Sequence, residues 1–498
     1  MLFNSSIFIF VFLPVTFFIY FYLNNKRLTE ASKAFLVFAS LFFYSWWNIV
    51  YLPIILVSML FNYVVGINLS EEKAHQKLDK KLMLSIGIVA NLSLLGYFKY
   101  ADFLIENINI LSKGNMPLLH LALPLAISFF TFQQIAYLVD SYRGETKEYD
   151  FLNYANFVTF FPQLIAGPIV HHSEMMPQFS KTKNKVKNYN NIALGLFIFS
   201  IGLFKKVAIA DSFAVWATAG FDVAPTLNFY EAWATSLSYT FQLYFDFSGY
   251  TDMAIGSALL FNIKLPINFD SPYKAISIQD FWRRWHITLS RFLRDYIYIP
   301  LGGNRKSQFR TYSNLMGTFI IGGIWHGAGW PFIFWGFLHG LALVIQRIWN
   351  KLGYSMNKWL AWFITFNFLN IAWVFFRAKE WEDAIKVLTS MLHLSDILSI
   401  HNRYFAKIFN NVSSISHYIH SKFISIDNPS LITLNVAEFI FLGFILILVF
   451  KNSNELSKQF NQFKKVPISW FLFSIIILGI SLMNISEQAG SEFLYFNF

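Results

Sequence analysis

The chain has 498 residues, of which 55% are hydrophobic and 20% aromatic but only 13% charged, and its formal net charge is +11. A soluble protein carries roughly a quarter charged residues, so this composition excludes a soluble globular fold. Most aromatic residues lie inside long apolar runs and not beside the basic residues, which argues against a nucleic-acid partner. The chain has no cysteine, which excludes disulfides, thiolate nucleophiles and cysteine-ligated metals.

Apolar runs at least about as long as a helix that crosses a bilayer recur along the chain. In order they lie near residues 5–23, 34–49, 51–68, 82–98, 117–139, 190–220, 229–262, 314–350, 359–376, 433–450 and 468–485. The first run has neither a basic start nor a small-residue cleavage site, so we interpret it as a retained span and not as a signal peptide. We predict an all-α polytopic membrane protein of about 10–12 spans, with additional re-entrant and interfacial helices. No internal repeat or soluble domain is evident, so residues 1–498 are predicted to form one membrane domain.

Basic residues in short loops mark the cytoplasmic side of a membrane protein. They follow the first and third apolar runs, which places the N-terminus on the extracytoplasmic side. They also flank residues 155–170 on both sides, although one crossing cannot have both ends in the cytoplasm. This segment contains Pro162 and the pair Gly167-Pro168, which interrupt backbone hydrogen bonding. We predict that it is re-entrant; a kinked ordinary span is the alternative.

Residues 263–310 are predicted to form a cytoplasmic, interfacial basic segment. Six of the eleven arginines of the chain fall between residues 283 and 310. On a continuous helix, Arg284 and Arg291 would share one face, while aromatic side chains and His286 would fill the other, as in helices that lie on a membrane surface. Guanidinium groups bind phosphates bidentately, so a phosphate-bearing cytoplasmic cofactor is the predicted ligand. Its candidate binding residues are Arg284, Arg291, Arg294 and Arg305. Positive-inside anchoring is the alternative role of these arginines.

A histidine lies within the apolar stretch "GGIWHGAGW", residues 322–330, and no charged residue occurs between Arg310 and Arg347. An ionisable group at such depth is by default a functional candidate, so His326 is predicted to be catalytic. A hydrogen-bonded packing histidine is the alternative, and packing is the role predicted for His339. No metal site is expected, because no HExxH spacing occurs and the side chains of the adjacent His171 and His172 are expected to diverge.

Two carboxylates lie in the apolar stretch "YFDFSGYTDMAIG", residues 244–256. Buried carboxylates must be paired, and the adjacent Lys205 and Lys206 of another apolar run are the predicted partners of Asp246 and Asp252. Orientation of a catalytic imidazole is the alternative role of either aspartate.

Seven motifs in this order carry a resemblance to a known family. They are "LPLAISFFTFQ" (123–133), "PQLIAGPIV" (162–170), "YFDFSGYTDMAIG" (244–256), "FWRRWHITLSRFLRDYIYIPLGGNR" (281–305), "GGIWHGAGWPFIFWGFLHG" (322–340), "AWVFFRA" (372–378) and the final "FLYFNF". Together they resemble the membrane-bound O-acyltransferase (MBOAT) family, and in particular its bacterial branch that modifies alginate, peptidoglycan and lipoteichoic acid. The resemblance covers nearly the whole chain.

The resemblance implies a helical bundle around a central tunnel, in which His326 matches the catalytic histidine and His286 the second motif histidine. It implies acetyl-coenzyme A as a cytoplasmic donor substrate, with no permanently bound cofactor. The acceptor would be an exported cell-envelope polysaccharide, and the Lys-, Asn- and Ile-rich composition of the chain favours peptidoglycan over an alginate-like polymer. A periplasmic serine-hydrolase-like protein would complete the transfer, and the enzyme would be a multi-pass protein among the lipids of the cell inner membrane. A transporter or flippase that uses His326 and Asp246 as a proton relay is the alternative.

Residues 486–498 are predicted to form an extracytoplasmic tail, because no basic residue follows Lys465. Tyr495 carries the only nucleophile of the last six residues. We predict that this tail folds back toward His326 and that the Tyr495 hydroxyl takes the acetyl group, a prediction that the resemblance supports. A tyrosine that anchors the tail at the membrane interface is the alternative.

Overall fold

A computed structural model describes residues 1–70, 79–146, 150–165, 167–394, 434–463, 467–487 and 493–494. Within these ranges the secondary structure is helical and contains no strand. The helices are α1 (Leu13–Asn25), α2 (Thr29–Ser45), α3 (Leu52–Ser70), α4 (Lys80–Leu95), α5 (Ala101–Ser112), α6 (Ile127–Tyr142), α7 (Phe151–Thr159), α8 (Phe161–Leu164), α9 (His172–Ser180), α10 (Tyr189–Phe204), α11 (Asp211–Thr218), α12 (Phe229–Leu260), α13 (Ile278–Arg284), α14 (Ile287–Leu293), α15 (Gln308–His326), α16 (Trp330–Lys351), α17 (Lys358–Arg377), α18 (Trp381–Ser390), α19 (Leu434–Leu448), α20 (Ser453–Gln462) and α21 (Ile468–Glu487). The predicted all-α architecture is confirmed.

Seven helical stretches of the described part of the chain are long and apolar enough to cross a membrane. They are Phe8–Asn25, Ile49–Ser70, Lys80–Ser112, Tyr189–Val223, Trp330–Lys351, Lys358–Arg377 and Ile468–Ile485, and a pair of helices bent by 48°, Val436–Leu448 with Ser453–Gln462, would make an eighth. This set is smaller than the predicted number of spans. Helices α2 and α6 are short, with 17 and 16 residues. Helix α12 carries many buried polar side chains, and the first half of α15 is polar.

The 32-residue helix α12 is the central element of the fold, and most of its side chains are buried. Its neighbour α10 approaches it closely, because a Cβ added at Gly249 would lie 2.7 Å from the main-chain oxygen of Gly202. Glycine at this position therefore permits the two backbones to touch. The buried residues of α12 include Asp246 and Asp252, the two aspartates singled out in the sequence. Phe247 of the same helix contacts His286.

The predicted apolar run 314–350 folds as two helices, α15 and α16. Gly327 adopts an extended conformation with φ of −161° and ends α15 directly after His326. The two helices then pack against each other, because a Cβ on Gly323 would lie 3.2 Å from the Cα of Gly336. The close approach at these glycines lets α15 and α16 form a tight hairpin, and His326 lies at its turn.

The segment predicted to be re-entrant, residues 155–170, also has an interrupted helix in the structure. The 9-residue helix α7 ends at Thr159, and the single turn α8 follows after Phe160, whose φ and ψ are −48° and 110°. Both helices are almost entirely buried. Irregular backbone at membrane depth requires such enclosure by protein. The side from which this segment enters the membrane stays a prediction, as do the proposed domain boundaries.

Candidate active site

His326 is the last residue of α15 and only 3% of its surface is exposed. Aromatic rings surround its imidazole, with centroids 4.9 Å away at Trp325, 5.0 Å at Trp335 and 5.0 Å at Phe376. Trp335 and Phe376 present their rings nearly edge-on, at 87° and 75°. The site therefore excludes bulk water from a base that stands at the end of a helix.

Lys99 and Tyr100 hold the end of α15 in place. The Nζ of Lys99 donates to the main-chain oxygens of Trp325 at 2.6 Å and His326 at 3.1 Å, and to the Oγ of Ser128 at 3.1 Å. The Tyr100 hydroxyl donates to the main-chain oxygen of Ile324 at 2.6 Å. The last carbonyls of a helix have no partner within the helix, and a cation is stabilising there. This role was not predicted from the sequence, in which its signal was a lysine directly after the apolar run 82–98.

His286, like His326, lies near the ring of Trp325. Its ring centroid is 6.2 Å from that of Trp325, and it is fully buried. The Oδ1 of Asn268 accepts hydrogen bonds from the Thr288 main-chain N–H at 3.2 Å and the Thr288 hydroxyl at 2.8 Å. The same oxygen lies 3.1 Å from His286 Nδ1, so Nδ1 carries the proton and Nε2 of the neutral ring is an acceptor. Asn268, which sets this tautomer, was also missed from sequence.

The predicted continuous helix across residues 282–292 is wrong. Helix α13 ends at Arg284, and α14 begins at Ile287 after His286, whose φ of 42° is left-handed. The Asn268 contacts stabilise this break, because they bind the first residues of α14 and the imidazole together. Arg284 and Arg291 therefore belong to different helices and do not share one face.

His339 is a packing residue, as predicted. It is fully buried, and its Nδ1 accepts a hydrogen bond from the Trp282 indole N–H at 3.2 Å. Trp335 separates it from His326, with ring centroids 4.6 Å from His339 and 5.0 Å from His326.

Three of the four candidate phosphate-binding arginines contact carboxylates of the same chain. Arg284 Nε lies 2.9 Å from Asp280, Arg294 Nε lies 2.7 Å from Asp295, and Arg291 binds Glu174 bidentately at 2.5 and 2.9 Å. Arg305 is exposed. Phosphate binding by these residues stays a prediction.

The carboxylate of Glu174 binds the Arg291 guanidinium group, at which a phosphate would also have to bind. Partial burial raises the pKa of the Glu174 carboxyl, but the hydrogen bonds and charge of Arg291 lower it more, so its pKa lies below the usual range. Glu174 is therefore charged at neutral pH and would compete with a phosphate for the same guanidinium group.

Both predicted ion pairs of the apolar interior are confirmed. Lys205 Nζ lies 2.7 Å from Asp252, and Lys206 Nζ lies 2.6 Å from Asp246. The second oxygen of Asp246 accepts the main-chain N–H of Leu494 at 3.0 Å. Both oxygens of this carboxylate thus contact groups other than an imidazole. The adjacent Tyr495 lies outside the described residues, so its role stays a prediction.

The prediction that the side chains of His171 and His172 diverge is wrong. Their Nδ1 atoms lie 3.8 and 3.2 Å from the same carboxylate oxygen of Asp140, which also accepts the Tyr296 hydroxyl at 2.9 Å. The reason is that His171 precedes α9 in an extended conformation while His172 begins the helix. Burial raises the pKa of Asp140, but its hydrogen bonds with His171, His172 and Tyr296 lower it more, to well below the usual range. Within the described residues, no group of three or more His, Asp or Glu side chains is arranged to hold a metal ion.

His326 at the turn of the α15–α16 hairpin and His286 are two buried histidines near Trp325 in an all-α membrane fold, and a base shielded from water in this way suits acyl transfer inside a membrane. The chain belongs to the membrane-bound O-acyltransferase family (MBOAT), whose family model matches residues 1–380. The resemblance drawn from the motifs is therefore confirmed.

Relatives from several bacteria are similar to this chain. It is 51% identical to the peptidoglycan O-acetyltransferase of Helicobacter pylori, over 100% of this chain and 98% of that protein. It is 42% identical to the probable alginate O-acetylase AlgI of Pseudomonas aeruginosa, over 78% of this chain and 75% of that protein. It is 29% identical to the teichoic acid D-alanyltransferase of Streptococcus thermophilus, over 51% of this chain and 68% of that protein.

Proposed function

We propose that the protein is an inner-membrane O-acetyltransferase that supplies acetyl groups for O-acetylation of an exported cell-envelope polysaccharide, with peptidoglycan as the first candidate. The observation that supports this acceptor most directly is the 51% identity to the Helicobacter pylori peptidoglycan enzyme, which extends over the whole chain. The similarity to the Pseudomonas aeruginosa alginate protein is lower, at 42%, and covers 78% of the chain. An alginate-like polymer is therefore the second candidate.

The proposed reaction transfers acetyl from acetyl-coenzyme A, a donor substrate, to a hydroxyl group. The hydroxyl oxygen attacks the thioester carbonyl while the His326 imidazole accepts its proton. The carbon–sulfur bond then breaks, and the imidazolium returns the proton to the leaving thiolate. The products are an acetyl ester and coenzyme A with a free thiol. A base shielded by Trp325, Trp335 and Phe376 suits this chemistry, because water that reached the site would hydrolyse the thioester.

His286, which also lies near Trp325, supports the same reaction. Because Nδ1 of His286 donates a hydrogen bond to Asn268 Oδ1, the Nε2 atom of this tautomer can accept a hydrogen bond from a substrate N–H or O–H group. We assign His286 to orientation of a substrate, and His326 to proton transfer.

Donor binding at the cytoplasmic face is assigned to Arg284, Arg291, Arg294 and Arg305. Coenzyme A carries several phosphate charges, and Arg binds phosphate through two parallel hydrogen bonds. Arg291 would then exchange its bidentate contact with Glu174 for a phosphate. This exchange makes the Arg291–Glu174 pair the most informative place to test donor binding.

The first acceptor in the proposed reaction is Tyr495. Its hydroxyl would receive the acetyl group from the donor, and a periplasmic serine-hydrolase-like partner would carry the group on to the polysaccharide. The contact of the preceding Leu494 with Asp246, deep in the fold, supports a tail that reaches inward. Direct transfer without the tyrosine is the alternative.

The test is acetyl transfer by the purified protein, measured as release of coenzyme A thiol from acetyl-coenzyme A, together with peptidoglycan O-acetylation in cells. Wild-type protein should release thiol, and replacement of His326 by Ala should abolish both activities. A protein that acts only as a transporter would release no thiol. If the protein were a transporter, Asp246 would relay protons with His326. In the structure, the two oxygens of Asp246 contact Lys206 and Leu494 instead.

A further inference from the structure

Residues 493–494 lie against the buried face of α12. Phe493 is fully buried, and its ring stacks on Tyr250 with centroids 4.3 Å apart and planes inclined by 26°. It also lies 5.5 Å from the ring of Phe247. The next residue, Leu494, donates its main-chain N–H to Asp246 Oδ2 at 3.0 Å. One ring stack and one main-chain hydrogen bond therefore bind two consecutive residues to one helix face.

The acceptor in this contact is held rigidly. Asp246 is 1% exposed, and its Oδ1 lies 2.6 Å from Nζ of Lys206, which is 2% exposed. Lys206 also lies 2.8 Å from Asp211. A buried carboxylate must be balanced by charge and by hydrogen bonds, and Asp246 has both. The ion pair orients one carboxylate oxygen, so that the other faces Leu494.

The hydrogen bond from the main-chain N–H of Leu494 fixes where the tail lies but does not depend on which side chain the residue carries. Asp246 and Tyr250 are four residues apart and share one face of α12, and together they contact Leu494 and Phe493. A shift of the tail by one residue could still present a main-chain N–H to Asp246, but it would take the Phe493 ring off Tyr250, so that only one register makes both contacts. The pair of contacts therefore sets the register of the tail.

This face lies close to the candidate active site. The ring of Phe247 is 4.8 Å from that of His286, at an interplanar angle of 89°, and Phe493 contacts the same phenylalanine. Leu494, the residue before Tyr495 in the sequence, is therefore held at the face of α12 whose Phe247 contacts His286.

We propose that Asp246, Phe247 and Tyr250 form a docking site for residues 493–494, and that this site holds Tyr495 in the register in which its hydroxyl receives the acetyl group. The inference rests on the acyl relay proposed above. In it Asp246 is a positioning residue that acts through the main chain of Leu494, and Lys206 orients Asp246.

The experiment changes the tail and leaves the body of the protein intact, because replacement of Asp246 would remove half of a buried ion pair and disturb folding. Leu494→Pro removes the donating N–H, whereas Leu494→Ala removes the same side chain but keeps the N–H. We expect Leu494→Pro to lower acetylation of Tyr495, measured by mass spectrometry, by about tenfold or more. Leu494→Ala should stay within about twofold of wild type, and both variants should keep the wild-type unfolding temperature.

The outcomes separate the docking site from the relay. Equal acetylation of Tyr495 in the Pro and Ala variants overturns the docking site and leaves the relay standing. Wild-type polysaccharide acetylation in Tyr495→Phe overturns the relay, and the docking proposal with it. Both the relay and the docking site are supported by three results together: Tyr495→Phe loses polysaccharide acetylation, Leu494→Pro loses Tyr495 acetylation, and Leu494→Ala keeps Tyr495 acetylation. A second tail variant, Phe493→Ala, should lose Tyr495 acetylation as Leu494→Pro does, and wild-type acetylation in it contradicts the docking site.

Discussion

Lys99 donates a hydrogen bond from Nζ to the main-chain oxygen of His326 at 3.1 Å, although 227 positions separate the two residues in the chain. Its other hydrogen bonds reach Trp325 and Ser128. One ammonium group thus joins the helical segment between α4 and α5, helix α6 and the end of α15. The position of the candidate catalytic base depends on this junction.

Replacement of Lys99 by Met should reduce kcat while the KM for acetyl-coenzyme A stays near the wild-type value. The variant keeps the length of the side chain but loses the hydrogen bonds that hold the last turn of α15, so His326 is no longer fixed. Misplacement of a catalytic group by about 1 Å can cost on the order of 100-fold in rate. Lys99→Arg keeps the donors and should recover much of kcat. Replacement of the exposed Lys113 by Met is the matched control. Equal kcat in the Met and Arg variants would contradict a positioning role.

Replacement of His326 by Ala should abolish acetylation while the protein still folds and inserts. Loss of a general base costs about 10²–10⁴ in rate. Measurements are the O-acetyl content of peptidoglycan in cells and thiol release by purified protein. His286→Ala should weaken activity without abolishing it, because His286 is assigned to substrate orientation. If cells that carry His326→Ala retain wild-type acetylation, the catalytic assignment is wrong.

Arg291 and Glu174 should have opposite effects on donor affinity. Arg291→Gln removes a guanidinium group that is proposed to bind phosphate and should raise the KM for acetyl-coenzyme A about tenfold, because a charged hydrogen bond contributes about 1.5–3 kcal/mol. Glu174→Gln removes the competing carboxylate and should lower the KM. Initial rates of thiol release at a series of donor concentrations would measure both. An unchanged KM in both variants would leave the arginine with a structural role only.

Tyr495→Phe should abolish polysaccharide acetylation, because it removes the proposed acceptor oxygen and keeps the aromatic ring. Interfacial anchoring, which depends on the ring, should survive. Quantification of O-acetyl groups in isolated peptidoglycan is the measurement, and the amount of protein in the membrane is the control. Acetylation at the wild-type level in this variant would establish direct transfer instead.

The re-entrant interpretation of residues 155–170 predicts that the chain lies in the cytoplasm on both sides of this segment. Glu145 and Ser180 are exposed in the structure and suit single-cysteine labelling in a chain without native cysteine. Each cysteine variant should react in intact cells only with a reagent that crosses the membrane. Labelling of one position by an impermeant reagent would show an ordinary span.

Several features could be derived from the sequence because they depend on the local composition of the chain. Long apolar runs have one solution in a bilayer, the helix, which satisfies its own backbone hydrogen bonds. Aspartates inside such runs need cationic partners, and the adjacent Lys205 and Lys206 proved to be those partners. His326 stood out for the same reason, since a titratable group in an apolar stretch is costly without a function.

The remaining features depend on contacts that only packing creates. The left-handed conformation of His286 breaks the predicted helix, and it is stabilised by Asn268, a residue with no signal of its own in the sequence. His171 and His172 meet at Asp140 because a helix begins between them. Helical periodicity relates residues a few positions apart, whereas the bonds from Lys99 to α15 and from Leu494 to Asp246 join residues more than 200 positions apart. Hydropathy and spacing therefore determined that the protein is an all-helical membrane protein with a buried histidine, and the packing of distant helices alone decided what holds that histidine and what lies beside it.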